Sequence, residues 1–163
     1  MLSDKMTDAL NQQINAEMYS SYLYLSMSAD FEAKGLSGFA AWMAAQAREE
    51  YGHAMKIYGY IHEQMGRVQL GAIDAPPAEW GSPLEVFQET FKHEQKVTKL
   101  IHDLVGLARS ENDYATENFL GWFVTEQVEE EASAADLRDK LEMIGDSKNG
   151  LFMLDRAAAQ RGA

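Results

Sequence analysis

The chain has 163 residues, and its 14 lysines and arginines stand against 26 aspartates and glutamates, which gives a formal net charge of −12. With 46% hydrophobic residues it has enough apolar material for a packed core, and we expect a single domain over residues 1–163. Because the chain has no cysteine, disulfide frameworks, thiolate metal sites, iron–sulfur clusters and cysteine nucleophiles are excluded. The acidic balance argues against nucleic acid or an anionic membrane as a partner.

The sequence also predicts a protein that works away from membranes. Its apolar stretches are far shorter than the roughly 20 residues that a spanning helix needs, and the first residues, Met1 to Lys5, lack the apolar segment of a secretory signal. We therefore expect a cytoplasmic location. Excess acid favours cations, but it also serves solubility alone.

Glycine, proline and capping residues divide the chain into four long helical segments and a short fifth one. The candidate caps are Ser3, Ser37, Ser82 followed by Pro83, and Asn112 or Asp113. The predicted helices cover about residues 4–34, 38–65, 83–110, 113–144 and 149–160. Two connections are short, whereas about 17 residues separate helices 2 and 3. The predicted fold is all-α: a four-helix bundle with one long crossover between helices 2 and 3 and a short C-terminal helix.

Each long helix carries an apolar stripe whose members recur every three or four residues. The stripe of the third helix is predicted as Leu84, Phe87, Phe91, Glu94, Thr98, Ile101, Val105 and Ala108. One glutamate interrupts each of the four stripes near its middle: Glu17, Glu50, Glu94 and Glu130. A further candidate ligand lies one turn away on two stripes, His53 after Glu50 and Gln127 before Glu130.

Four carboxylates at similar depth in a bundle are hard to explain by packing. Each one costs several kcal/mol if it is buried, charged and unpaired, and the four repel one another. Protonation or a bound multivalent cation would resolve this conflict. A single glutamate on such a stripe more often lies at the surface, and a lone Glu-x-x-His is a weak motif, so the argument depends on the four occurring together. Oxygen ligands with one nitrogen and no sulfur suit iron or manganese and do not select zinc.

With these residues in view, the chain resembles the non-haem ferritins of bacteria and archaea over essentially its whole length. The resemblance is carried by residues 15–24, 48–55, 91–94 and 118–131, which contain the four glutamates, His53 and Gln127 in the family's order and spacing. It implies a ferritin-like di-iron domain in a hollow homo-oligomeric shell of twenty-four subunits. It also implies ferroxidase activity, in which O₂ or H₂O₂ oxidises Fe(II) and a ferric oxy-hydroxide mineral is deposited inside the shell.

The resemblance further implies roles for individual residues. Glu17, Glu50 and His53 would hold a first iron, with Glu50 bridging to a second iron held by Glu94 and Glu130. Gln127 would lie beside the oxygen-binding space, Tyr24 next to the centre, and Trp122 nearby as an electron donor. A third iron position would involve Glu49, Glu126 and Glu129. Acidic channels for ion entry would use Glu117 with Glu111 or Asp113.

Some positions depart from relatives or remain open. Gly52 stands where haem-binding relatives have a methionine ligand, so no haem is expected. The sequence offers no reason for a glycine in the middle of a helix at Gly52 or at Gly121. The apolar residues of the fifth helix, Leu151, Phe152 and Leu154, would lie at fourfold contacts by resemblance or would cover the end of their own bundle.

Other functions remain as alternatives. One is a structural bundle without redox activity. Another is a DNA-protecting mini-ferritin, whose iron site lies between subunits and uses residues that this chain lacks. A rubrerythrin-like peroxidase would normally require cysteine-bound iron, and the chain has no cysteine.

Overall fold

A computed structural model describes residues 1–162. Its helices are α1 (Asp4–Ala33), α2 (Ser37–Glu63), α3 (Pro83–Ser110), α4 (Tyr114–Ile144) and α5 (Lys148–Ala158), followed by a 3₁₀ turn (Ala159–Gly162). Within the described residues there is no strand. The long helices pack mainly as the pairs α1–α2 and α3–α4. The predicted all-α bundle with a short fifth helix is confirmed, and each predicted boundary lies within two residues of the observed one.

Side-chain caps define the start of three of the four long helices. The hydroxyl of Ser3 accepts from Met6 N at 3.0 Å, and Asp113 Oδ1 accepts from Thr116 N at 3.0 Å. Ser82 forms a reciprocal capping box with Glu85 ahead of the proline-led α3.

The prediction that Ser37 caps α2 is wrong, because Ser37 is already the first helical residue and Leu36, which has no side-chain cap bond, precedes it. Instead, a residue far along the chain accepts a hydrogen bond from a backbone N–H in the first turn of α2. Phe39 N, in the first turn of α2, donates to Asp155 Oδ1 of α5 at 2.9 Å. A carboxylate at this position also complements the positive end of the helix dipole.

The long connection between α2 and α3 runs along the length of α1. Asn11 bonds to the backbone of Arg67 and Gln69, further along Asn15 bonds to Ala72 O, and Lys34 at the far end of α1 donates to Trp80 O. The connection therefore starts at one end of the bundle and finishes at the other. This path makes α2 and α3 parallel, which follows from the long crossover that the sequence predicts.

The apolar core divides into two clusters, one toward each end of the bundle. One cluster is built around Phe31, Phe39 and Phe87, whose ring centroids lie 5.4–6.1 Å apart. The other contains Ile57, Ile101 and further apolar residues, most of them aliphatic. Polar side chains lie buried between the two clusters, so both ends of the bundle exclude water from its middle.

Helix α5 closes one end of the bundle and leaves part of its apolar surface outward. Leu151 and Leu154 pack against the aromatic cluster, whereas Phe152 and Met153 are 67% and 70% exposed. The helix therefore covers its own bundle and also presents two large apolar side chains. Among the described residues, none of the helices is both long enough and apolar enough to cross a membrane.

Candidate metal centre

The four predicted glutamates all lie in the polar layer between the two apolar clusters. Each is at most 4% exposed, and each comes from a different long helix. Three of the same helices, α1, α2 and α4, contribute further buried polar side chains to the layer. These are Gln13, Ser20, Gln46, His53 and Gln127.

Potential ligand atoms of these residues form two overlapping groups, in each of which all the atoms lie within 4.8 Å of one another. The first contains Glu17, Glu50 and His53, and the second contains Glu50, Glu94 and Glu130. Glu50 belongs to both groups and is fully buried. A shared carboxylate with distinct ligands on either side is an arrangement that suits two cations held close together. Both groups form within one chain, unlike a site built between subunits.

Neutral donors, rather than basic residues, hold most of these carboxylates. Gln13 Nε2 donates to Glu17 Oε1 at 2.9 Å, and Gln127 Nε2 donates to Glu94 Oε2 at 3.1 Å. The hydroxyl of Tyr24 also donates to Glu94. These bonds orient the carboxylates without neutralising them.

One oxygen of the layer is left without any partner among the described residues. Glu17 Oε2 is buried and has no hydrogen bond, although Oε1 of the same carboxylate is satisfied. A buried, unpaired carboxylate oxygen is costly unless a ligand completes it. Because Glu17 shares its ligand group with Glu50 and His53, the residues present fit a cation at this position.

Burial makes the ionised forms of the centre unfavourable when no cation is bound. Burial, followed by repulsion from Glu94, raises the pKa of Glu130 to about 8, and the same two causes hold the pKa of Glu50 well above its usual value. Burial also raises the pKa of Glu94, although the hydrogen bond from Tyr24 works against it. Burial and the charge of Glu94 raise the pKa of Tyr24 as well. The metal-free centre therefore binds protons that a cation would displace.

Comparison with known proteins agrees with this geometry. Residues 7–144 match the family model of the ferritin-like domain. The chain is 50% identical over 161 residues to a bacterial non-heme ferritin from Bacteroides fragilis, covering 99% of this chain and 100% of that protein. The chain belongs to the ferritin family. A bacterial non-heme ferritin from Campylobacter jejuni is 43% identical over 156 residues, covering 96% of this chain and 93% of that ferritin.

A solved ferritin shares the fold of this chain closely. The structure of an open pore ferritin from the hyperthermophilic archaeon Archaeoglobus fulgidus has a TM-score of 0.97 and 53% sequence identity, covering 98% of each chain. A form of that archaeal ferritin engineered to be closed has a TM-score of 0.96 and 52% identity, covering 98% of this chain and 97% of the other. The predicted resemblance to non-haem ferritins is therefore confirmed.

The residues expected at a third iron position in this ferritin are only partly drawn together. Glu126 approaches the centre, with its Oε1 3.7 Å from His53 Nε2, and it forms a third potential ligand group with His53 and Glu130. Glu129 is exposed and Glu49 pairs with Arg161, and neither belongs to a ligand group among the described residues. The third position stays a prediction.

Two aromatic residues to which the ferritin resemblance gives a role, Tyr24 and Trp122, lie against side chains of the candidate centre. Trp122 meets the ring of His53 edge-on, with 5.4 Å between their centroids, and the ammonium of Lys56 lies 4.0 Å from the Trp122 centroid. Tyr24 is fully buried against the opposite carboxylate, Glu94. Both aromatic residues therefore contact side chains of the centre.

Other residues that support the candidate centre were not assigned a role from the sequence. Gln13 and Gln46 lie four residues before Glu17 and Glu50, a spacing that places them on the same helix face and was available as a signal. His93 meets Tyr24 edge-on at 5.8 Å and bonds to Ser20 Oγ at 2.8 Å. Burial, followed by the charge of Lys96, lowers the pKa of His93 to about 4, so that this histidine is neutral.

Proposed function

We propose that this ferritin is a ferroxidase that binds Fe(II) as its substrate within each subunit, oxidises it with O₂ or H₂O₂, and stores the product as ferric oxy-hydroxide. The observation that carries the proposal is the pair of buried ligand groups that share Glu50. Two Fe(II) ions supply two electrons, which reduce O₂ to hydrogen peroxide or H₂O₂ to water. Hydrolysis of Fe(III) to the mineral then releases protons.

The proposed ligands divide between two iron positions. Glu17, Glu50 and His53 bind one iron ion, and Glu94 and Glu130 bind the other with Glu50 between them. Oxygen ligands and a single imidazole hold iron without the rigidity of a cage of histidines, so the oxidised product can leave. Tyr24 and Gln127 act on Glu94 by donating hydrogen bonds to it, which keeps its oxygens directed at the centre.

We further propose that the subunits assemble into a shell of twenty-four, and that residues 1–163 form one di-iron domain. The last of these residues, Ala163, lies outside the described part of the chain. Exposed Phe152 and Met153 on α5 support a contact with neighbouring subunits near the end of the bundle. Ferritin relatives at full-length coverage support assembly as such. The absence of haem and the cytoplasmic location remain predictions.

Aerobic titration of metal-free protein with Fe(II) tests the activity. We expect fast absorbance from oxidised iron that saturates at about two irons per chain. Glu50→Gln should slow the fast phase at least tenfold. Removal of a residue that only hydrogen-bonds to a metal ligand already costs about tenfold or more in activity, and Glu50 is itself a proposed ligand. Glu142→Gln is the matched control, because Glu142 is exposed on α4 and outside the centre.

The same experiment separates the alternatives. Oxidation no faster than in buffer, or a Glu50→Gln variant as fast as the Glu142→Gln control, would support a structural bundle and refute the ferroxidase. Shell assembly is measured separately by light scattering. A stable particle much smaller than twenty-four subunits would contradict the assembly but leave the proposed activity standing.

A further inference from the structure

The C-terminal turn of the chain reaches the edge of the metal centre through Arg161. Its Nη2 donates to Gln46 Oε1 at 2.6 Å and lies 2.8 Å from Glu49 Oε2, and its guanidinium carbon lies 4.1 Å from the centroid of Trp42. The three contacted residues are spaced by four and three positions along α2, which places them on one face of that helix. A single planar guanidinium therefore contacts all three.

The turn that carries Arg161 is anchored on α2 by the preceding helix. Asp155 of α5 caps the start of α2 through Phe39 N. The backbones approach so closely there that a Cβ added to Gly38 would lie 1.6 Å from Asp155 O. Ala158, one turn before Arg161, is buried in the aromatic cluster. The position of Arg161 beside the centre thus follows from the docking of α5.

Gln46 connects Arg161 to the ligands. Its Nε2 donates to Glu50 Oε1 at 3.1 Å and to Glu130 Oε2 at 2.5 Å, so one amide group joins carboxylates of α2 and α4. An arginine side chain has donors and no acceptor. Its bond to Gln46 therefore requires the amide oxygen to face Arg161, which directs the amide nitrogen into the centre.

We propose that Arg161 is a positioning residue of the metal centre, which fixes the Gln46 amide so that this amide holds Glu50 and Glu130 together in the geometry that receives cations. The inference rests on the proposed function only in that the centre binds metal, and it does not require oxidation. The positive charge of Arg161 by itself repels cations. Its charge and its positioning role therefore act in opposite directions and can be separated.

A double-mutant cycle with a redox-inert cation tests this role. The affinity of the metal-free shell for Zn²⁺ is measured by calorimetry for the wild type, Arg161→Ala, Gln46→Ala and the double variant. If Arg161 acts through Gln46, replacing it weakens Zn²⁺ binding in the wild-type background and does not weaken it in the Gln46→Ala background. In each background, the effect of the Arg161 replacement is the ratio of the Zn²⁺ affinities measured before and after it. We expect this ratio to differ at least about threefold between the two backgrounds, within the range measured for residues in contact.

The controls separate positioning from loss of fold or charge. Arg156→Ala removes an exposed arginine from α5 and should leave Zn²⁺ affinity at the wild-type value. Arg161→Lys keeps the positive charge and a donor on a long side chain, so restored positioning of Gln46 should make it bind Zn²⁺ more tightly than Arg161→Ala, whereas charge repulsion alone would make it bind more weakly. It also provides a second variant if Arg161→Ala does not assemble, which light scattering shows.

Several results would overturn the role of Arg161. They are an equal effect of the Arg161 replacement on Zn²⁺ affinity in the two backgrounds, unchanged Zn²⁺ binding in Arg161→Ala, or an Arg161→Lys variant that binds Zn²⁺ no more tightly than Arg161→Ala. The ferroxidase proposal can fail independently of this one. A shell that shows the coupling with Zn²⁺ but does not oxidise Fe(II) refutes only the ferroxidase, and a shell that oxidises Fe(II) without the coupling refutes only the positioning role.

Discussion

Replacing Tyr24 by phenylalanine removes one hydroxyl from the candidate centre and leaves the ring that fills its space. Tyr24 is fully buried, and its hydroxyl donates to Glu94. A hydrogen bond to a charged group contributes about 1.5–3 kcal/mol, which corresponds to about tenfold or more on a binding equilibrium. In Tyr24→Phe the carboxylate that a cation needs loses this stabilisation, so we expect Zn²⁺ affinity to fall by about tenfold.

The direction of the pH dependence follows from the same contact. Burial raises the pKa of Glu94 and the bond from Tyr24 lowers it, so the variant shifts that pKa further upward. A cation must then displace a more tightly held proton. The loss of affinity should therefore be larger at about pH 6 than at about pH 8, where fewer carboxyl groups are protonated.

Tyr60→Phe is the matched control for this experiment. Tyr60 is also buried, and a hydrogen bond of 2.9 Å joins its hydroxyl to Thr116 Oγ1. Tyr60 belongs to the apolar cluster that contains Ile57 and Ile101, not to the polar layer. Its loss should lower stability by about 1 kcal/mol without changing Zn²⁺ affinity. Equal Zn²⁺ affinities for the two variants, measured by calorimetry, would refute the reasoning about Tyr24.

Three further results are expected from the same structure. The melting temperature of the metal-free protein should fall as pH rises from about 6.5 to about 8, since the folded state keeps a proton on Glu130 that the unfolded state has released, at about 1.4 kcal/mol per pH unit for each such proton. Below about pH 6.5 the lowered pKa of His93 acts in the opposite direction. Glu130→Gln should make the fall less steep, and a melting temperature that rises over this range would contradict the reasoning. Phe87→Ala should lose about 3–5 kcal/mol in denaturant unfolding, because Phe87 is fully buried, and a loss below 1 kcal/mol would be too small for such a cavity. Gly121→Ala should gain up to about 1 kcal/mol because nothing lies within 4 Å of the added Cβ, whereas Gly38→Ala, which clashes with Asp155 O, should destabilise the protein in the same assay; the reverse order would refute the packing argument.

The glutamate near the middle of each of the four stripes is buried, as the sequence predicts. The stripe of α3 was predicted only in part. Phe87 and Glu94 are buried as predicted, but Phe91 is only half-buried, whereas Val97 and Leu104 are buried outside the predicted set. Steps of three and four residues make the stripe of α3 repeat every seven residues, and apolar residues lie on both sides of it. Periodicity alone therefore cannot tell which side faces the core.

The ligand set was predictable for a different reason from its supports. Four carboxylates at one depth conflict with packing, and this conflict is visible in the sequence. The role of Arg161 is not visible, because it depends on a contact across 115 residues between the C-terminal turn and Gln46. Asp155, which caps α2 across 116 residues, was missed for the same reason, whereas the sequence suggested the local but incorrect Ser37. Local rules find caps and stripes, but only the docked α5 determines these distant partners.

The choice of partners in the polar layer favours cation binding over stability alone. A buried carboxylate can be stabilised by an arginine or lysine, and the resulting ion pair leaves little attraction for a metal ion. Here Gln13, Gln127 and Tyr24 donate hydrogen bonds to the carboxylates and carry no positive charge. Arg161 is held one side chain away, behind the Gln46 amide. The layer therefore keeps its carboxylates oriented without neutralising them. Their negative charge becomes available to a cation that displaces the bound protons. A core that served stability alone would gain nothing from carboxylates without basic partners.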